Sequence, residues 1–139
     1  MILETDEQRT ALLARSRTIA VVGASANPSR DSHMVFSYLR ASGRYDVTPV
    51  NPALTAGIDG VAAFPSLAAY AAERGAPDIV DVFRKADDAP AVARDAIAAG
   101  AKAIWFQFGV VNDEAIRIAD RAGLDVVVDR CIKIDDARG

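Results

Sequence analysis

A chain of 139 residues, 51% apolar and 25% charged with a formal net charge of −3, has the size and composition of one globular domain around one core. The acidic balance, with no local basic stripe, excludes the electrostatic footprint of a nucleic-acid binder, and no apolar run reaches the roughly 18 residues that a membrane span requires. One cysteine, Cys131, excludes an internal disulfide, and with only one histidine beside it a zinc site of these ligand types is excluded too.

The opening M-I-L-E-T-D-E-Q-R is acidic and amphipathic, unlike a secretory signal, and with the lone cysteine it leads us to expect a cytoplasmic protein. Residues 3–16 set Leu3, Leu12 and Leu13 among charges and predict an N-terminal helix. Thr18–Val22 is a short, largely β-branched run, the first buried strand. Small and polar residues then carry the chain to Ser32, the expected N-cap of a helix whose apolar stripe is Met34, Val35, Tyr38 and Leu39. Gly43 closes that helix. Asp46–Val50 reads as the second strand, stopped by Asn51-Pro52.

Residues 53–65 are rich in Ala, Gly and Pro and predict a loop with a short extended piece at 60–62. Ser66 opens a short helix over 66–73, and Pro77 precedes a third strand at 78–83. Residues 87–99 are helical, with Pro90 in the first turn and Gly100 at the end. Ala103–Phe106 is the fourth strand. Asn112 caps a helix with Asp113 and Glu114 in its first turn, favourable for the helix dipole, and Gly123 ends it. A fifth strand follows at 125–128, and the tail 130–139 has room for one or two turns.

Strands alternating with helices predict an α/β fold with right-handed parallel crossovers. The strands are continuous apolar runs, which suits a sheet covered on both faces. The expectation is therefore a Rossmann-like three-layer sandwich with five parallel strands in the order 3-2-1-4-5, one domain over 1–139 with the helix 1–16 and the tail 130–139 as its ends. Ligands of such sheets bind outside the carboxyl ends of the strands. Those ends fall at 23–30, 50–52, 82–85, 106–109 and 129–131, where the unusual polar residues of this chain concentrate.

The stretch I-A-V-V-G-A-S-A-N-P-S-R-D-S (19–32) is a strand, a permissive turn and a helix start. It aims backbone N–H groups and a helix dipole at one spot, a phosphate-binding loop to which Arg30 adds a cation. The dinucleotide fingerprint is not met: Ser25 stands where a second glycine belongs, and P-V-N-P at the end of the second strand offers no acid for a ribose. No P-loop sequence occurs. A serine hydrolase built on Ser25 and His33 would need the G-x-S-x-G elbow, and Asn27 replaces its second glycine.

The chain resembles the small bacterial CoA-binding proteins, whose fold is that of the N-terminal CoA domain of succinyl-CoA synthetase α subunits. The resemblance lies in V-V-G-A-S-A-N-P-S-R-D-S (21–32), V-T-P-V-N-P (47–52), A-F-P-S-L (63–67), D-I-V-D-V-F-R (78–84), G-A-K-A-I-W-F-Q-F-G-V (100–110) and V-V-D-R-C-I-K-I (127–134). Asp31 departs from the family, where many relatives carry proline, and puts an acid beside Arg30.

The resemblance implies a cradle for coenzyme A or an acyl-CoA. Gly23, Ala24, Ser25, Asn27 and Pro28 would form the turn, Arg30 the cation, and Ser32 the helix terminus. Asn51 and Pro52 would form one wall, and Val82, Phe83 and Arg84 an apolar surface with a second cation. Gln107, Phe108 and Gly109 would line the far end. No nucleophile–base pair or metal cluster accompanies the cradle, so the expectation is binding without catalysis of its own; a protein partner could carry the chemistry, and the apolar surface of the N-terminal helix permits a homodimer without demanding one over a monomer.

Other readings of the same residues stay open: an enzyme of acyl-CoA metabolism using Asp129 or Glu114, or a nucleotide-binding regulatory module. Phe83 and Trp105 also suit a core, Arg84-Lys85 a solvated loop, Asn112 a simple cap, and His33 a ligand contact or solvent. Cys131, beside Arg130, is either a space-filling thiol or one that forms a mixed disulfide with the CoA thiol.

Overall fold

Five short runs rich in β-branched and apolar residues pair in parallel, and the helices between them close over both faces. The computed structural model describes residues 1–139. Its strands are β1 (Thr18–Val22), β2 (Asp46–Val50), β3 (Ile79–Val82), β4 (Ala103–Phe106) and β5 (Asp125–Val127). The helices are α1 (Asp6–Arg15), α2 (Asp31–Ala41), α3 (Leu67–Arg74), α4 (Ala89–Ala98), α5 (Asp113–Arg121) and α6 (Ile132–Arg138). The Rossmann-like α/β class is as the sequence predicts, and no helix is long and apolar enough to cross a membrane.

The strand order differs from expectation. It is β2-β1-β3-β4-β5, so β3 pairs with β1 instead of lying beyond β2. Pro49 explains why. Proline has no N–H for a ladder and is confined to edges or strand starts, and Pro49 is the fourth of the five residues of β2, opposite Val21. β2 is therefore fit for the edge, while β3, buried at all four of its residues, needs a strand on each side.

Direction of travel then decides which face each helix covers. From β1 to β2 the chain moves one way, through α2. The three later crossovers move the other way, and right-handedness puts α3, α4 and α5 together on the opposite face. One core forms there around Tyr70, Val80, Ala93, Ile104 and Ala119. Since α2 alone cannot cover five strands, α1 and α6 complete its face, with Leu12, Phe36, Leu39, Trp105 and Ile132 in the second core. The outer edge of β5 is closed by the chain start, where Leu3 N–H donates to the Val126 carbonyl at 2.8 Å.

Most helix ends follow their expected chemistry. Ser66 and Asn112 each cap by accepting an N–H three residues on, from Ala69 and Ala115. The start of α2 does not. It begins at Asp31 with Arg30 in the cap position and no side-chain cap bond, and Ser32 is buried inside the first turn. Its core stripe is Val35, Phe36 and Leu39, which leaves Met34 45% exposed. Residues 86–88 form a 3-10 turn ahead of α4. The tail folds as the two turns of α6.

Candidate site at the β1–β3 switch point

β1 and β3 are neighbours whose following helices leave toward opposite faces, so a crevice opens between their carboxyl ends. The two loops approach very closely at its floor. Gly23 adopts φ +84°, and a Cβ there would stand 2.2 Å from the Phe83 carbonyl oxygen. Gly23 N–H donates to the Val50 carbonyl at 3.0 Å, and Phe83 N–H to that of Val22 at 2.9 Å, so three strand ends are tied together.

The 24–30 turn holds its own shape. Asn27 Oδ1 accepts from the N–H and hydroxyl of Ser29 at 3.0 and 2.8 Å, Ser25 Oγ accepts from Asn27 N–H at 3.1 Å, and Arg30 N–H donates to the Asn27 carbonyl at 3.0 Å. The N–H groups of Ala24, Ser25, Ala26, Asp31 and Ser32 donate to no protein acceptor. They are the orphan donors of an uncapped helix and the turn before it.

The crevice has a volume of about 1020 Å³. Of the residues expected there, Gly23, Ala24, Ser25, Arg30, Ser32, Asn51, Phe83, Arg84, Gln107 and Phe108 line it. Asn27 braces the turn from behind, and Pro28 and Pro52 also stand off the wall. Val82 points into the α3–α5 core, and Gly109 gives its N–H to Asp129 Oδ1 at 2.8 Å. Two of the lining side chains have structural duties. Asn51 donates to the Ala24 carbonyl at 2.9 Å and accepts from Ala53 N–H at 3.0 Å. Gln107 Oε1 accepts the N–H of Ile132 at 3.1 Å, holding the start of α6.

Charge around the crevice is mostly positive. Arg30, Lys85 and Lys133 line it without any carboxylate partner, whereas Arg84 pairs with Asp88 at 3.2 Å. Asp31 is the acid on the wall, exposed in the first turn of α2. His33 is not on the wall; its Nε2 lies 3.4 Å from Asp59 Oδ2. Three exposed apolar side chains also line the crevice, Met34 (45%), Phe108 (62%) and Ile134 (50%).

Among the lining residues that sequence reasoning does not place in the site are Met34, Leu54, Val110, Lys133 and Ile134. Met34 read as core because helical spacing places it one position from the true stripe. Lys133 and Ile134 lie in the quoted 127–134 stretch, but only the docking of α6 turns them toward the crevice. Below the floor, Asp81 is fully buried between Val21 and Trp105, and burial pushes its carboxyl well above the usual carboxylate range.

A doubly covered parallel sheet with free N–H groups, unpaired cations and an apolar rim at its switch point defines a Rossmann-like small-molecule-binding domain. The model of the CoA binding domain family matches residues 17–137, and the chain belongs to that family. It is 40% identical over 126 residues to the uncharacterized protein YneT of Bacillus subtilis (strain 168), covering 91% of this chain and 90% of that one. It is also similar to a hypothetical protein from Pyrococcus horikoshii OT3, at 38% identity and a TM-score of 0.89, over 97% of this chain and 92% of that one. The dinucleotide forming acetyl-coenzyme A synthetase 1 of Ca. Korarchaeum cryptofilum matches at 27% identity and a TM-score of 0.66, over 78% of this chain but 25% of the synthetase.

Proposed function

We propose that the protein binds coenzyme A or an acyl-CoA in this crevice and performs no catalysis of its own. The observation that carries the reading is the meeting, at one place, of the Gly23 turn, the uncapped start of α2 and the unpaired Arg30. Free N–H groups at a helix N-terminus favour an anion, and a guanidinium grips phosphate oxygens bidentately. Lys85 and Lys133 add positive charge for a ligand that carries a diphosphate and a separate 3′-phosphate. Met34, Phe108 and Ile134 offer apolar surface to its adenine or pantetheine.

Likeness to part of a synthetase supports the same ligand class and a partner protein that carries the chemistry. The acids an enzymatic reading would use are engaged elsewhere: Asp129 with Gly109 N–H and Glu114 with Arg94 at 3.1 Å.

Calorimetric titration of the ligand-stripped protein with CoA, acetyl-CoA, NADH and ADP tests the proposal. CoA or acetyl-CoA should bind well above the other two; equal affinity for all four, or none, overturns it. Arg30 is exposed and unpaired, so Arg30→Ala should leave the melting temperature unchanged. It should weaken CoA about tenfold, the loss of one charge-assisted contact, and make binding less sensitive to salt. Wild-type affinity in that variant would refute the phosphate assignment.

A further inference from the structure

We propose that Asp136 is a positioning residue of the ligand site, acting through α6 as a movable wall between two cavities. The inference rests on the ligand reading above for its consequence, but not for its geometry. One side of this two-turn helix faces the crevice, with Cys131, Lys133 and Ile134 on the wall. The other side faces a second cavity of about 360 Å³, lined by Asp135, Asp136 and Ala137 together with residues of α1, Tyr38 of α2 and the Arg44–Tyr45 pair. Between the two cavities α6 packs chiefly on α1 and α2.

What holds α6 in place is mainly polar. Seven residues are too few to form a stable helix unaided, and Ile132 is its one fully buried apolar side chain. Asp135 accepts from Arg9 Nε at 3.0 Å, and both side chains are 2% exposed. Asp136 accepts from the hydroxyls of Tyr38 (3.0 Å) and Tyr45 and from the Arg44 guanidinium. Three donors from two other parts of the chain converge on this one carboxylate, so its loss releases all of them together, whereas loss of a single donor leaves the others in place. The position of Lys133 and Cys131 against the ligand is then set by a carboxylate that never touches it.

Cys131 is the sole cysteine, half-buried on the crevice side of the wall, and reports α6 directly. Its alkylation by iodoacetamide should run about tenfold faster in Asp136→Asn than in wild type. The rate should be independent of low urea, the mark of local opening, whereas opening by global unfolding rises steeply with denaturant. Tyr45→Phe, which removes one anchor bond and keeps the ring, should give a smaller increase of the same kind. Arg94→Ala, which breaks an exposed ion pair on the other face, should give none.

CoA should slow alkylation in wild type and bind Asp136→Asn about tenfold more weakly. An unchanged Cys131 rate in both anchor variants, or a rate that follows global unfolding, overturns the proposal. So does wild-type CoA affinity in an Asp136→Asn protein whose Cys131 has become reactive. If the wild-type protein binds no CoA, the ligand reading fails, while the iodoacetamide rates still decide whether Asp136 positions the wall.

Discussion

Gly23→Ala is expected to destabilise the protein by about 3–4 kcal/mol and to abolish CoA binding, measured by urea denaturation and calorimetry. Two effects combine at this position. With φ at +84°, any side chain is strained, and the added Cβ would stand 2.2 Å from the Phe83 carbonyl oxygen. That oxygen belongs to backbone whose own N–H is bound to β1, so it cannot swing aside as a flexible side chain could. Relief requires parting β1 from β3 at the floor of the crevice.

Gly60 separates the two effects. Its φ is +81°, but nothing lies within 4 Å of a Cβ built there, so Gly60→Ala should lose only the conformational part, about 1–2 kcal/mol. Equal losses at the two glycines would show that the close approach of the loops does not exist in solution.

That contact shows where sequence reasoning reaches and where it stops. Turn and cap chemistry is local, so Gly23, Ser66, Asn112 and the edges of the strands could be read from a few neighbouring letters. That Gly23 meets Phe83, sixty positions away, depends on strand order, and the apolar runs alone do not encode it. Pro49 carries the information, because a proline past the start of a strand marks an edge, but the run around it reads as an ordinary buried strand.

The site divides the same way. Arg30 and the turn are legible as a unit because they follow one strand. Asn51 shows the opposite case: its place on the wall follows from the strand end, but its role as a brace for Ala24 requires the fold. Lys133 and Ile134 belong to a tail whose docking depends on Arg9, Tyr38, Tyr45 and Arg44, from three other parts of the chain. The neighbouring strand end at 129–131 marks the ligand side, but which of the tail's side chains turn toward it depends on those distant partners.

Asp81→Val is expected to stabilise the protein by about 2 kcal/mol at pH 7, because it removes an unpartnered buried polar group. Asp81 is 0% exposed in a central strand, and neither carboxyl oxygen has a hydrogen-bond partner. Burial raises its pKa well above the usual carboxylate range, so the folded chain keeps the proton where the unfolded chain has lost it. The sign follows from that difference. The contribution of the neutral acid is fully present below about pH 3.9, the unfolded value, and is lost progressively as pH rises through the folded pKa.

Valine has no such proton, fits the β-branched pattern of the strand and packs beside Val21 and Trp105. Its stability curve should lack the downward slope that wild type shows above about pH 4. Asp81→Asn distinguishes charge from polarity: it should also lack the slope, yet gain less than valine, because its amide stays unpartnered. Urea unfolding of the three proteins from pH 4 to pH 8 checks both statements. A valine variant no more stable than wild type, with the slope intact, would mean that the carboxyl is satisfied in solution and that another group titrates.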